Sequence, residues 1–315
     1  MIFTARGLIV SLAFFAMVYC LLSLLMVLAW RSMNRIGGRS RVLSADFLFG
    51  MRIFSFTVST VVSVFFTFPS FWLMERASFD EDAGTFILAG CSLLILSAGL
   101  FRLLRAQTRT IRAVARWVLA TRSMGAMTIG REEASPPPSA WNGAPALILV
   151  GILRPRVMVS DLAAIVLSDH ELQVAVRHEL GHKRSWDNLK KVLISATPFP
   201  GMSSLEGAWR EAAELAADDA AVADRQDALD LAAALIKLSR SSKQWSDPAL
   251  ASELVSGSSS IAFRVKRLLT WSVPGRPQDP WPWTLLVLFS TIIGVVNNYG
   301  AALVLTHRLT EFLVP

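Results

Sequence analysis

Residues 177–187 read RHELGHKRSWD. On a helix, His178 and His182 stand one turn apart and project from the same face, so both imidazoles can bind one metal ion. Glu179 is rotated about 100° from His178. Its carboxylate therefore lies beside such an ion rather than on it. A catalytic zinc keeps three protein ligands and one open position. It lowers the pKa of a water there towards about 7, and a neighbouring carboxylate can take the proton as that water attacks a carbonyl. This is the chemistry of the H-E-x-x-H pattern. The chain has four histidines, and two of them fall in this pattern.

A third ligand is the discriminating feature. No histidine follows His182 until His307, near the C-terminus, so the third ligand should be a carboxylate. Candidates lie in WREAAELAADDAAV, residues 209–222. The alanines there allow another helix to approach closely. Glu211 and Glu214 are both available, but only Glu214 has a carboxylate one turn on, at Asp218. Asp218 can accept the free ring N–H of a ligand histidine and so fix its tautomer. Glu211 has Leu215 in that place. The reading therefore favours Glu214 as ligand and Asp218 as its outer partner.

These residues need helices to hold them. Ser168-Asp-His-Glu171 fits a capping box, with Ser168 at the N-cap and Glu171 three residues on. It opens a helix expected to run to about Asp187. TPFPG at 197–201 breaks the pattern, and Leu205–Ala223 and Asp227–Arg240 read as further helices. Upstream, ALILVG and RVMVS flank a turn at Arg154–Pro155 and suggest a β-hairpin. REEASPPPSAWNGAP, before them, reads as a linker.

The rest of the chain is apolar. It has 315 residues, 53% hydrophobic and 17% charged, with mean hydropathy +0.47. Four runs are long enough to span a bilayer, which takes about 20 residues of helix: Gly7–Trp30, Ile53–Leu73, Thr85–Leu104 and Trp283–Leu305. The first exceeds the usual apolar core of a signal peptide and lacks a small-x-small cleavage site, so it reads as a retained helix. Cys20 and Cys91 lie in such runs and read as small apolar residues. Arginines 31, 35, 39 and 41 follow the first run; 102, 105, 109, 112 and 116 follow the third. The link between runs two and three is mainly acidic. By the positive-inside rule, the segment between runs three and four faces the cytoplasm and both termini lie outside. Arg105–Met124 is amphipathic, either lying on an anionic leaflet or extending the third helix. The net charge of +7 fits the positive loops of a membrane protein. No recognition-helix signature supports nucleic-acid binding.

RHELGHKRSWDN and REAAELAADDAAV, with GILRPRVMVS upstream and FRVKRLL downstream, resemble the BlaR/MecR-type membrane metallopeptidases, relatives of the HtpX-type zinc peptidases. The likeness covers about residues 140–270 in motif and the whole chain in layout. It implies one zinc on His178, His182 and Glu214, Glu179 as general base and Asp218 behind a ligand. Arg264 or Arg267 matches a basic position that would stabilise an oxyanion. The strand after Arg154–Pro155 would pair with an extended substrate, or is simply one arm of a hairpin. The fold expected is a mainly α membrane protein: four transmembrane helices with a cytoplasmic α+β zincin-like metallopeptidase domain between the third and fourth. The divisions are 1–104, three membrane helices; 105–135, basic helix and linker; 136–280, the zinc domain; and 281–315, the fourth helix and a short tail. The likeness implies the bacterial plasma membrane, and a substrate that is a cytoplasmic or membrane-proximal protein, such as a regulator. Antibiotic-sensing members carry a penicillin-binding domain after the fourth helix. About ten residues follow that helix here, so sensing through such a domain is not expected. The competing reading is a non-catalytic membrane transducer or scaffold whose zinc only staples two helices. Structural zinc is usually closed and cysteine-rich, which argues against it.

Overall fold

The computed structural model describes residues 2–37, 43–74, 83–128, 147–159, 161–241, 252–253, 258–272, 290, 294 and 297–313. Most of these are helical. The chain divides into two compact units: residues 1–101, 196–209 and 277–315 form one, and residues 102–195 and 210–276 the other.

The first unit is built on helices α1 (Ile2–Gly37), α2 (Ala45–Val62), α3 (Phe68–Met74) and the first part of α4 (Ala83–Thr128). Three stretches are long and apolar enough to cross a membrane: Phe3–Arg35, Ala45–Met74 and Ala83–Arg112. A helix of 30 residues spans about 45 Å, against a hydrocarbon core of about 30 Å. Buried Ser55, Ser59, Ser63, Thr67 and Ser70 form a stripe of small residues along α2 and α3. Such stripes let apolar helices pack closely. Between α2 and α3 the helix loosens into a π turn at Ser63–Thr67. Pro69 lacks the N–H that would reach back to this turn. The Tyr299 hydroxyl donates instead to the Phe65 carbonyl, at 2.7 Å. Tyr299 opens α11 (Tyr299–Leu313). The fourth apolar run, 283–305, otherwise lies largely outside the described residues, as does the linker at 131–145. The arginine-rich segment 105–124 is helical and continuous with α4, which extends to Thr128.

The second unit combines a small antiparallel sheet with helices. The strands are β1 (Leu147–Val150), β2 (Arg156–Val159) and β3 (Ser252–Glu253), in the order β2-β1-β3. β1 and β2 form the expected hairpin, Leu147 opposite Val159 and Val150 opposite Arg156. Its turn begins at Gly151, whose φ of +108° suits glycine. The helices are α5 (Asp161–Val166), α6 (Asp169–Arg184), α7 (Asp187–Ala196), α8 (Ser203–Ala221), α9 (Arg225–Ser241) and α10 (Ser258–Leu269). α7 and α8 carry the chain across the division between the units. Leu147, Val174, Ala175, Leu231, Leu235, Leu238 and Leu268 form the core, which brings β1, α6, α9 and α10 together.

The capping box at the start of α6 is present in both directions: Ser168 Oγ accepts from Glu171 N, and Glu171 accepts from Ser168 N. The far end differs from expectation. The helix stops at Arg184, Trp186 adopts a left-handed φ of 58°, and α7 starts at Asp187. A bulky residue at this φ is strained, so the chain reverses here against local preference.

Candidate metal centre

α6 supplies His178, Glu179 and His182, all buried. α8 crosses it closely. A Cβ built on Gly181 would stand 3.2 Å from Ala217 Cα and 3.4 Å from the Cβ atoms of Ala217 and Ala220. Glycine on α6 and alanine on α8 thus let the two backbones approach, and α8 turns Glu214 and Asp218 towards the histidines. Glu211 lies on the exposed side of α8.

His178, His182 and Glu214 form a group able to hold a metal ion. His178 Nε2 is 3.2 Å from His182 Nε2. Glu214 Oε2 is 3.7 Å from His178 Nε2, and Glu214 Oε1 is 3.6 Å from His182 Nε2. Donors held about 2.0–2.1 Å from a tetrahedral ion sit about 3.4 Å apart, and each of these contacts, two of them to different oxygens of Glu214, is close to that spacing.

The far side of each ring explains why the lone pairs converge. His182 Nδ1 lies 2.6 Å from Asp187 Oδ2. A carboxylate only accepts, so Nδ1 carries the hydrogen and Nε2 turns a lone pair inward. His178 Nδ1 approaches Asp218 Oδ1 at 3.0 Å, close but too bent for a formal hydrogen bond. Two ring nitrogens and a carboxylate thus face one point, an arrangement that could hold a cation. Burial by itself would push the His178 imidazolium down. Its interactions with Asp218 and Glu214 overcome this and raise its pKa to about 9. Burial would raise Glu214, but His182, Arg264 and His178 pull it down to about 2.

Glu179 is different. It is fully buried, and among the described residues neither carboxylate oxygen has a hydrogen-bond partner. Burial pushes its pKa up, against the pull of His182 and His178, with Glu214 adding to the rise. It is an unpartnered acid beside the converging donors.

Arg264 and Arg267, the candidates for an oxyanion stabiliser, lie on α10 and are both engaged with carboxylates of α8. Arg264 is buried and donates through Nε and Nη2 to Asp218, at 2.9 and 2.6 Å, and through Nη1 to Glu214, at 2.8 Å. It is a clamp on the α8 carboxylates. Arg267 is engaged one position further on, its Nη2 reaching both oxygens of Asp219 at 2.6 and 2.7 Å.

Two residues escaped the sequence reading. Asp187 is one, because it meets His182 only through the left-handed turn at Trp186. The other is Asn188, whose amide donates to the carbonyls of Leu149 and Gly151, at 3.1 and 2.9 Å. It ties the hairpin to the start of α7. The signal was their place beside the motif, in HKRSWDN.

No protein-family model matches this chain, and neither does any curated protein or solved structure.

Proposed function

We propose that the chain is an integral-membrane zinc endopeptidase. One observation carries the reading: two imidazole nitrogens and a carboxylate converge, the nitrogens 3.2 Å apart and each within 3.7 Å of a Glu214 oxygen, with the carboxylate of Glu179, which has no hydrogen-bond partner among the described residues, beside them. Two imidazoles and one carboxylate are a donor set that suits zinc, and as three ligands they leave one position of a tetrahedral site open. An ion held there supplies Lewis acidity, polarising a peptide carbonyl and making a water acidic near neutral pH.

The chain's own residues do the rest. Asp187 and Asp218 hold the rings of His182 and His178 in the tautomer that presents Nε2. Arg264 fixes Glu214 and keeps it ionised. Glu179 takes the proton from the attacking water and returns it to the departing amine, so that peptide and water become acid and amine. A buried carboxyl with a raised pKa suits both halves of that transfer.

The finer topology belongs to the same proposal. Four helices cross a bacterial plasma membrane, and the zincin-like domain lies between the third and fourth, on the cytoplasmic side, with both termini outside. The substrate is a cytoplasmic or membrane-proximal protein, such as a regulator, as in the BlaR/MecR-type peptidases that the motifs resemble.

The test is Glu179→Gln in the full-length, detergent-purified protein. Zinc content by mass spectrometry should stay at one per chain while cleavage of casein or a peptide library disappears. Wild-type cleavage by this variant would refute the assignment of the base. Absence of zinc from the wild type would refute the metal site.

A further inference from the structure

Asn188 is buried at the start of α7. Its side-chain amide donates to the Leu149 carbonyl at 3.1 Å and to the Gly151 carbonyl at 2.9 Å. Leu149 belongs to β1, the middle strand of the sheet, paired with β2 on one side and β3 on the other. The carbonyls it offers are therefore fixed points. The turn at Trp186, the carboxylate of Asp187, the ring of His182 and this strand all lie within the second unit.

Two residues before Asn188, Trp186 holds φ at 58°. A bulky residue keeps such a conformation only where its surroundings over-determine it. The Trp186 side chain is half exposed, so its own packing is a weak hold. The backbone bonds from Trp186 N to Lys183 O and from Lys190 N to Trp186 O, at 3.3 and 3.0 Å, tie the turn to α6 and α7. Neither bond fixes it against the sheet, and Asn188 does. The turn matters to the site. On an unbroken helix Asp187 would be rotated about 140° from His182, out of reach of its ring. The reversal instead brings Asp187 Oδ2 to 2.6 Å from His182 Nδ1.

We propose that Asn188 is a positioning residue for the ligand His182: its grip on the Leu149 and Gly151 carbonyls holds the left-handed turn at Trp186, and the turn holds Asp187 against the His182 ring. The hairpin and the metal are then joined by one short chain of contacts, from β1 through Asn188 and Asp187 to His182. This rests on the zinc reading above.

The experiment measures zinc affinity by chelator competition, with helicity alongside, on the full chain in detergent. Asn188→Leu keeps the shape of the side chain and removes both donors. It should bind zinc at least about tenfold more weakly, the lower end of what loss of an outer partner does. Asp187→Ala should do the same. Adding Asn188→Leu to Asp187→Ala should weaken binding by less than about threefold more, because two changes that act through one contact do not add. In zinc-free protein carrying isotope-labelled histidine, magnetic resonance should show the His182 hydrogen fixed on Nδ1 in the wild type and exchanging between the two ring nitrogens in Asn188→Leu. His182→Gln identifies the signal. If Asn188→Leu does not fold, Asn188→Ser, smaller and still able to donate once, is read in the same way. An Asn188 variant that folds and binds zinc as the wild type does overturns the proposal and leaves the zinc site standing. So does an Asn188→Leu effect as large in Asp187→Ala as in the wild type, since it would then be general loosening, or a His182 hydrogen that stays fixed in Asn188→Leu. A wild type without zinc overturns the zinc reading itself.

Discussion

Asp187→Asn isolates one contact. Asp187 Oδ2 stands 2.6 Å from His182 Nδ1, and both side chains are nearly fully buried. Asparagine keeps the volume and one acceptor oxygen, which must face Nδ1–H because the amide NH2 would meet it donor to donor. What is lost is the charge. A hydrogen bond to a charged group contributes about 1.5–3 kcal/mol and a neutral one about 1 kcal/mol, so the difference is about 0.5–2 kcal/mol. At about 1.4 kcal/mol per tenfold, zinc should bind roughly 2–30-fold more weakly. Asp187→Ala should weaken it further, because a buried N–H is left without a partner. Asp218 is a less clean target, since its removal would also unpair Arg264. The assay is chelator competition on the detergent-purified protein, with far-UV circular dichroism to confirm that α6 and α7 persist. If Asp187→Asn binds zinc within twofold of wild type, the aspartate does not tune His182 and the reasoning fails.

Gly181→Val should disrupt the site sterically. Even a single Cβ there is tight against Ala217, and two further methyls must push α8 from α6, with overpacking of about 1–3 kcal/mol; zinc affinity should fall more than about tenfold with helicity kept, and Gly181→Ala should lower it in the same direction by less. The Arg177–Asp227 pair should make the fold acid-sensitive. The hydrogen bond from Arg177 is the largest cause holding the Asp227 carboxyl below its ordinary value, so the folded state binds fewer protons. The contribution is present above the unfolded pKa of about 3.9 and disappears as pH falls through the lower folded value. Thermal unfolding from pH 7 to 3 should show an acid-side decline that Asp227→Asn flattens. Stripping the metal with a chelator should lower the melting temperature, and zinc at about a thousand times its Kd should restore about 4 kcal/mol; magnesium should not.

What could be read in the sequence was local. The H-E-x-x-H spacing, the Ser168/Glu171 capping box and the hairpin around Arg154–Pro155 each depend on residues within one or two turns of one another. Glu214 and Asp218 were legible because their spacing repeats the logic of the histidines. Asp187 was not, because nothing about tryptophan announces the left-handed backbone at Trp186 that swings the aspartate under His182. Arg264 was seen as a cation but not as a clamp, since its partners lie 46 and 50 residues away. TPFPG at 197–201 read only as a helix breaker. Its fixed contacts come from Arg52 and Tyr19, 145 and 179 residues earlier in the chain. A sequence pattern cannot rank pairings of that range. The basic segment after the third apolar run admitted two readings because amphipathicity alone does not say whether a helix continues or turns. Continuity of α4 favours extension.

Charge gives an independent argument that the cluster exists to hold something. Glu179, Asp187, Asp218 and the largely buried Glu214 crowd around two histidines. Arg264 answers Asp218 and Glu214, and Lys190 stands 3.7 Å from Asp187. Glu179 has no hydrogen-bonded partner among the described residues. As a device for joining α6 to α8 this would be a poor one: glycine against alanine already brings the helices together, and apolar side chains in place of buried charges are often as stabilising or more so. Such a cluster makes physical sense when a cation joins it. A divalent ion answers three acceptors at once where a proton answers one or two. That difference supports the proposed metal centre over a polar seam between helices.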